Sequence, residues 1–232
     1  MAFEDDLKSE IAKKFADRWT TTDGRVVPDE TSVGLGNVGI RIEATVFYAD
    51  MADSTDLVDR HLDEFAAEIY GTFLRCTSRI IKHQGGTITA FDGDRVMAVY
   101  MGETKEQQAV WTAMKLNRAM QHILRPALKA AYPTSTYVPN HTVGIDSSTI
   151  LVIKDGVRGD NDLIWVGRAA NHAAKLCALP HTYQTRITQA VRDKLSPNQV
   201  TTISGSAVWE QITWKDMGDQ QIYRSSCEAT TF

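Results

Sequence analysis

The apolar residues at the start of the chain recur at every fourth position, from Leu7 to Trp19. This spacing predicts a short amphipathic helix. The stretch 20–39 that follows is polar and contains several glycines, which is typical of a linker. We therefore expect residues 1–39 to form an N-terminal helix and linker, and residues 40–232 to form one larger domain.

Apolar and polar residues then alternate from Ile40 to Ala49, which predicts a strand with one buried face. The apolar residues from Val58 to Ile80 are instead spaced by three and four positions, which predicts one long helix. Gly85 and Gly86 are expected to end that helix, because glycine readily adopts the left-handed conformation found at helix ends.

The next part of the chain contains a hairpin pattern. Strand-like runs at 87–91 and 95–100 flank the pair Asp92-Gly93, which is typical of a two-residue hairpin turn. The remaining pattern predicts a helix at 104–130, strands at 142–153 and 162–166 around a loop at 154–160, helices at 168–179 and 188–195, and a terminal hairpin from 208–214 and 221–224. This order favours an α+β fold over a doubly wound parallel sheet.

Charge and composition limit the classes of partner. The 232-residue chain carries a formal net charge of −4, so it has no overall positive field to attract nucleic acid or an anionic membrane. A polyanionic ligand would need local cations or metal ions. No apolar run approaches the roughly 18 residues of a membrane helix, and the acidic start does not resemble a signal peptide. We expect a cytoplasmic protein.

Two aspartates stand where strands end or begin. Asp50 closes a predicted strand, and the residues Met51 to Thr55 lead into a helix whose free N–H groups could hold phosphate. Simple helix capping by Ser54, Thr55 or Asp56 explains the same residues. Asp94 follows the predicted turn, and it would meet Asp50 if their strands are neighbours. Paired carboxylates suit Mg²⁺ or Mn²⁺.

A third polar feature lies on the predicted helix 168–179. Asn171 and Lys175 are four positions apart, so their side chains lie on the same face of a helix. A solvated outer face on an alanine-rich helix would have the same pattern.

Together, these three features resemble the catalytic domain of class III nucleotide cyclases over about residues 40–180. The family motif F-x-D-I-x-x-S-T corresponds to Tyr48–Thr55, and its double glycine followed by G-D corresponds to Gly85-Gly86 and Asp94. The motif G-x-x-x-N-x-x-x-R corresponds to Gly167, Asn171 and Lys175, with lysine replacing the family arginine. The resemblance implies a ferredoxin-like α+β domain with a central, mostly antiparallel sheet flanked by helices.

The resemblance also implies roles for these residues. Asp50, Asp94 and the main chain at Met51 would hold two divalent metal ions, Mn²⁺ or Mg²⁺, and Ser54 and Thr55 would lie at the triphosphate. Asn171 would orient the ribose, and Lys175 would stabilise the transferring phosphoryl group. In the family these last two residues come from the opposite subunit, so a homodimer with active sites at its interface is implied. Arg158 and Arg168 are candidates to share the task of Lys175.

The sequence departs from the family motif at the residues that recognise the nucleotide base. The two positions that read a purine are Ala90 and Ile164, and neither side chain can form a hydrogen bond. Tyr48 and Arg95 are the nearest polar groups, and the phrase 91–98 resembles the pyrimidine cyclases of bacterial Pycsar antiphage systems. That resemblance implies a cyclic nucleotide made as a signal for a separate effector protein.

Four interpretations follow in order of preference. The first is cyclisation of UTP to cyclic UMP, because uracil offers Arg95 two carbonyl acceptors. Cyclisation of CTP comes second, and a purine cyclase with altered base contacts comes third. The fourth is an inactive cyclase-like dimer that only binds nucleotide.

Overall fold

The computed structural model describes residues 2–157 and 160–232, which form a nine-stranded sheet with helices on both faces. The strands are β1 Thr20–Asp23, β2 Val38–Ala52, β3 Thr87–Asp92, β4 Arg95–Tyr100, β5 Asn140–Val157, β6 Asp160–Val166, β7 Thr185–Thr188, β8 Glu210–Trp214 and β9 Gln220–Ser225. The helices are α1 Ala2–Ala16, α2 Ser54–Arg60, α3 Asp63–His83, α4 Lys105–Ala119, α5 Arg125–Ala131, α6 Arg168–Cys177, α7 Gln189–Arg192 and α8 Pro197–Val200. A π-helical turn, Met120–Leu124, joins α4 to α5.

The sheet has the order β3-β4-β2-β5-β7-β9-β8, with β1 beside β2 and β6 beside β5. Neighbouring strands are antiparallel except in the pairs β1–β2 and β5–β7. The α+β class, with a mostly antiparallel sheet flanked by helices, is therefore confirmed. In the part of the chain that the structure describes, no helix is long and apolar enough to cross a membrane.

The central strand β2 is buried on both faces. Phe47 and Ala49 pack into the larger core cluster, which α3 and α4 cover. Ala44 and Val46 point to the opposite face and pack against Ala169 and neighbouring residues of α6. Because successive side chains of a strand alternate between faces, Tyr48 and Asp50 lie on the α6 side.

The N-terminal region differs from the expectation in two ways. The stretch predicted as a linker contains β1, which pairs with the start of β2 in parallel, and Val33 is buried in the core on the α6 side. Threonine-rich β1 has no apolar alternation, so its pairing rests on main-chain hydrogen bonds that periodicity does not reveal. The helix α1 forms as predicted, but none of its residues is buried.

The helix predicted from 58 to 80 is interrupted. Residues 61 and 62 separate α2 from α3, and both Val58 and Leu62, which were predicted to lie in the buried stripe, are exposed. Leu57 takes the buried position of α2 instead. The predicted end is confirmed, because Gly85 has a φ of +81° and its N–H donates to the carbonyl of Lys82.

The hairpin turn is one residue later than expected. Asp92 pairs with Arg95, so Gly93 and Asp94 form the turn, and Gly93 has a φ of +58°. Strand β7 was missed altogether, because its four residues alternate threonine with arginine and isoleucine. It is nevertheless buried, since it lies between β5 and β9.

Candidate active site

Asp50 lies near the end of β2, on the sheet face covered by α6. The register of β2 with β5 places it opposite Thr142, and the register with β4, in which Ala49 pairs with Val96, brings it beside Arg95. The Asp50 side chain is only 16% exposed. Burial raises the pKa of this carboxyl group above its usual value, and hydrogen bonding to Arg95 partly opposes that shift.

Arg95 forms an ion pair with Asp50. Its Nη2 and Nε donate to the same carboxylate oxygen, Oδ2, over 2.7 and 3.1 Å, and the bond raises the pKa of the guanidinium. The sequence predicted that Arg95 contacts the base. In this structure its charge is directed to one of the expected metal ligands instead.

Asp94 provides the second carboxylate. It occupies the hairpin turn that follows β3, and its charge contributes to the raised pKa of Asp50. Its Oδ2 atom is buried and has no hydrogen-bond partner. A buried carboxylate oxygen without a donor is costly unless a cation or a proton occupies it. The two aspartates therefore suit a divalent cation.

Few side chains near Asp50 and Asp94 could coordinate a metal ion. Among the residues described, no group of three or more His, Cys, Asp or Glu side chains could hold a metal ion. Mg²⁺ typically keeps several waters and uses one or two carboxylates together with substrate phosphates. Two aspartates and the carbonyl of Met51 are consistent with such a site, whereas the Met51 side chain is buried in the core.

The loop expected to hold phosphate runs from Met51 to Thr55. Asp53 has a left-handed conformation, with a φ of +58°, which turns the chain from β2 into α2. No side chain caps α2 at this residue, so the first N–H groups of the helix, at Ser54 and Thr55, have no partner within the helix. The hydroxyl of Tyr70 donates to the carbonyl of Ser54 over 3.4 Å.

Tyr48 lies two residues before Asp50 on the same face and is half-buried. Burial raises the pKa of its hydroxyl, and the charge of Arg95 opposes this shift. Tyr48, Asp50 and Arg95 thus form one polar group at the end of β2.

Two further residues line this group and were missed in the sequence. Cys177 of α6 donates from Sγ to the carbonyl of Thr142 over 3.3 Å, and the Thr142 hydroxyl donates to the carbonyl of Cys177 over 2.5 Å. Burial, together with the charge of Asp50, raises the pKa of the thiol to about 12, so it is neutral. Their pairing depends on how α6 packs on β5, which no local pattern reveals.

The two positions expected to read the base lie apart in one chain. Ala90 is exposed on the edge strand β3, where it pairs with Met97 of β4. Across the sheet, Met97 pairs with Tyr48, and Tyr48 pairs with Gly144 of β5. Ile164 lies in β6 opposite Ile153 and is 44% exposed. The path along β5 from Gly144 to Ile153 is roughly 30 Å.

Asn171 and Lys175 both lie on the exposed face of α6. Cys177 faces Asp50 from the buried side of this helix, so Asn171 and Lys175 point away from the carboxylates of their own chain. The Lys175 amine contacts Met217 Sδ at 3.3 Å. These residues are on one helix face, as predicted, but one chain does not bring them to Asp50.

Two arginines, Arg158 and Arg168, were expected as candidates to share the task of Lys175. Arg168 forms an ion pair with the buried Asp146, with 3.1 Å between Nε and Oδ2, and also donates to the carbonyl of Ser147. It therefore anchors the start of α6 to β5. Arg158 lies outside the described residues.

Comparison with known proteins identifies the family and the fold, although no family model matches the chain. The chain is 45% identical over 227 residues to a uridylate cyclase of Xanthomonas perforans, and the match covers 97% of both proteins. It is 43% identical over 220 residues to a uridylate cyclase of Burkholderia cepacia, covering 94% of this chain and 95% of that one. The crystal structure of the adenylyl cyclase CyaB from P. aeruginosa has the same fold, with a TM-score of 0.68 and 22% identity over 83% of this chain and 97% of that one. The chain belongs to the uridylate cyclase family, and its fold is that of the class III nucleotide cyclases.

Proposed function

We propose that this protein converts UTP to 3′,5′-cyclic UMP and pyrophosphate. The observation that carries the proposal is the 45% identity to a uridylate cyclase over 97% of both chains. In this reaction the ribose 3′-oxygen loses its proton and bonds to the α-phosphorus, while the bond from that phosphorus to the bridging oxygen of the pyrophosphate breaks.

Asp50 and Asp94 would hold two divalent ions, Mn²⁺ or Mg²⁺, together with the carbonyl of Met51. The ions would lower the pKa of the 3′-hydroxyl and neutralise charge on the triphosphate. The unpartnered Oδ2 of Asp94 supports this assignment. The main chain of Ser54 and Thr55 would bind the outer phosphates, because these N–H groups begin a helix.

The base would be selected by Tyr48 and Arg95. Ala90 and Ile164 offer no hydrogen bonds, so a purine has no partner at those positions. A cation at Asp50 would compete with Arg95 for the same carboxylate oxygen, and the displaced guanidinium could then donate to a base carbonyl. Uracil has two such carbonyls and cytosine one, which favours UTP over CTP.

The complete site would form between two copies of the chain. Asn171 and Lys175 point away from Asp50 of their own chain, so they could act only on a nucleotide held by a second copy. There Asn171 would orient the ribose, and Lys175 would stabilise charge on the α-phosphate. A homodimer would contain two equivalent sites.

The product would serve as a second messenger. The resemblance to Pycsar cyclases suggests a role in antiphage defence in the cytoplasm, in which cyclic UMP acts on a separate effector protein. Nucleic acid and membrane are not required by any part of this mechanism.

The experiment that tests the function is an incubation with all four ribonucleoside triphosphates at equal concentration and with Mn²⁺. Products are resolved by mass. Cyclic UMP should form fastest, with cyclic CMP next. Faster formation of cyclic AMP or cyclic GMP would contradict the pyrimidine assignment, and no cyclic product at all would favour a domain that only binds nucleotide.

A further inference from the structure

A cavity of about 550 Å³ lies between α3 and the helical segment formed by α4 and the π-helical turn. One face of α3 lines it, because the contributing residues from Thr72 to His83 are spaced by three and four positions. No residue assigned to catalysis lines this cavity, which we call the α3–α4 groove.

The rim of the α3–α4 groove is positively charged. Arg75 and Arg79 project from successive turns of α3, and Lys115 projects from α4. Within residues 2–157 and 160–232, the side chains of these three residues form no hydrogen bond or ion pair, and no Asp or Glu lines the groove. The chain as a whole is acidic, with a net charge of −4, so this concentration of unpaired cations is local.

The floor of the groove is apolar. Cys76 and Ile80 of α3 face Ala119 and Ile123 across it. Burial raises the pKa of the Cys76 thiol, so this residue is an uncharged part of the floor. The ring of Phe232 forms one wall, which could enclose a ring or a short alkyl group.

The groove is separated from the catalytic residues by the sheet. Helices α3 and α4 cover the face that contains Phe47 and Ala49, whereas Asp50 lies on the face covered by α6. A ligand in the α3–α4 groove would therefore not occupy the nucleotide site of the same chain.

We propose that the α3–α4 groove is a second ligand site, which binds a small amphiphilic anion. Its phosphate or carboxylate group is held by Arg75, Arg79 and Lys115, and its ring or alkyl group packs on Cys76 and Ile80. Guanidinium groups match the geometry of both anions. The volume is within the range of about 300–1,000 Å³ that is typical of small-molecule sites.

A series of three probes tests the chemistry of this site. Phenyl phosphate combines a ring with an anion, inorganic phosphate is the anion alone, and benzyl alcohol is the ring alone. Calorimetry is done in EDTA, so that no metal-dependent phosphate binding at Asp50 contributes. Phenyl phosphate should bind at least about tenfold more tightly than either of the other probes. Equal affinity for inorganic phosphate would overturn the proposal of an amphiphilic ligand.

Variants and labelling then locate the bound probe. The double variant Arg75→Ala/Arg79→Ala should bind phenyl phosphate at least about tenfold more weakly, whereas Lys82→Ala, which removes a cation from the same helix outside the groove, should bind within about twofold of wild type. In the wild-type protein, phenyl phosphate should slow modification of Cys76 by a methanethiosulfonate reagent but not that of Cys227. Unchanged affinity in the double variant, or an unprotected Cys76, would place the probe elsewhere and refute the site. Neither result depends on cyclase activity, so the proposed function is tested separately.

Discussion

At the scale of single residues, Arg95 has two possible roles that differ in their consequences. It pairs with Asp50 in this structure, over 2.7 Å, and we propose that it contacts the base during catalysis. A role limited to Asp50 would affect every substrate alike, because all nucleoside triphosphates share the metal site. A base contact would affect pyrimidines selectively.

We therefore expect Arg95→Ala to lower kcat/KM for UTP by about 10- to 100-fold, which corresponds to the loss of one charged hydrogen bond of about 1–3 kcal/mol. Residual turnover of ATP should change much less. Arg60→Ala, which removes an exposed arginine of α2, is the matched control and should retain wild-type rates. An equal loss for UTP and ATP would limit Arg95 to the pairing with Asp50.

His141 is a buried residue whose effect is on stability. It is 1% exposed, and neither ring nitrogen has a hydrogen-bond partner. Burial, followed by the nearby charge of Arg125, lowers the pKa of this histidine to about 3 from its ordinary value of 6.5. Between these two values the unfolded chain binds a proton that the folded chain does not, so stability is lost as the pH falls through this window.

His141→Met should remove that dependence. Between pH 7 and pH 5, the free energy of unfolding should fall by about 2 kcal/mol less in the variant than in the wild type. Urea unfolding at the two pH values measures the difference. If both proteins lost stability equally over this interval, His141 would not be the buried neutral group described here.

At this scale, sequence reasoning could single out a residue where a short motif contained it. Tyr48, Asp50 and Asp94 could be singled out because each lies in a motif, and the pairing of β2 with β4 places Tyr48 and Asp50 beside the strand that follows Asp94. Cys177 and Thr142 could not be found, because their contact with this group results from the packing of a helix onto a strand distant in sequence.

At the scale of elements, the position of α6 depends on one glycine. A Cβ atom on Gly144 would overlap the carbonyl oxygen of Ala173 and lie 2.6 Å from the main-chain nitrogen of Cys177. Helix α6 therefore approaches the β5 backbone closely. This close packing determines how far Asn171 and Lys175 lie from the sheet.

Gly144→Ala should thus lower the free energy of unfolding by more than about 2 kcal/mol, because the overlapping atoms belong to the main chain. It should also reduce cyclase activity by displacing α6. Gly71→Ala is the control: a methyl group added at this position in α3 would have no atom within 4 Å apart from its own stretch of helix, so alanine should stabilise the helix by about 0.5–1 kcal/mol. A stable, active Gly144→Ala protein would show that α6 does not require this close approach.

Elements with a strong period could be predicted, and those held by their neighbours could not. The apolar alternation of β2 and the helical spacing of α3 gave the right type of element, because both bury a continuous face. The strands β1 and β7 were missed because they are short and largely polar, and their place in the sheet depends on pairing with distant strands.

At the scale of the whole molecule, our proposal is that two chains together form the complete active site. Asn171 and Lys175 lie on the exposed face of α6 and make no contact with Asp50 of the same chain in the part of the molecule that the structure describes. The sequence implied this division only through resemblance to a family, since no pattern within one chain specifies contacts between two. Mixing two inactive variants therefore tests the central claim most directly.

Asp50→Ala should be inactive because the metal site is lost, and Asn171→Ala should be strongly impaired because the ribose is not oriented. When the two proteins are mixed and allowed to exchange subunits, each heterodimer contains one site with Asp50 from one chain and Asn171 from the other. Formation of cyclic UMP should then recover, to as much as about half the wild-type rate per heterodimer, since one of two sites is intact. No recovery after subunit exchange has been verified by mass spectrometry would contradict the shared site, and would mean that each site is built within one chain.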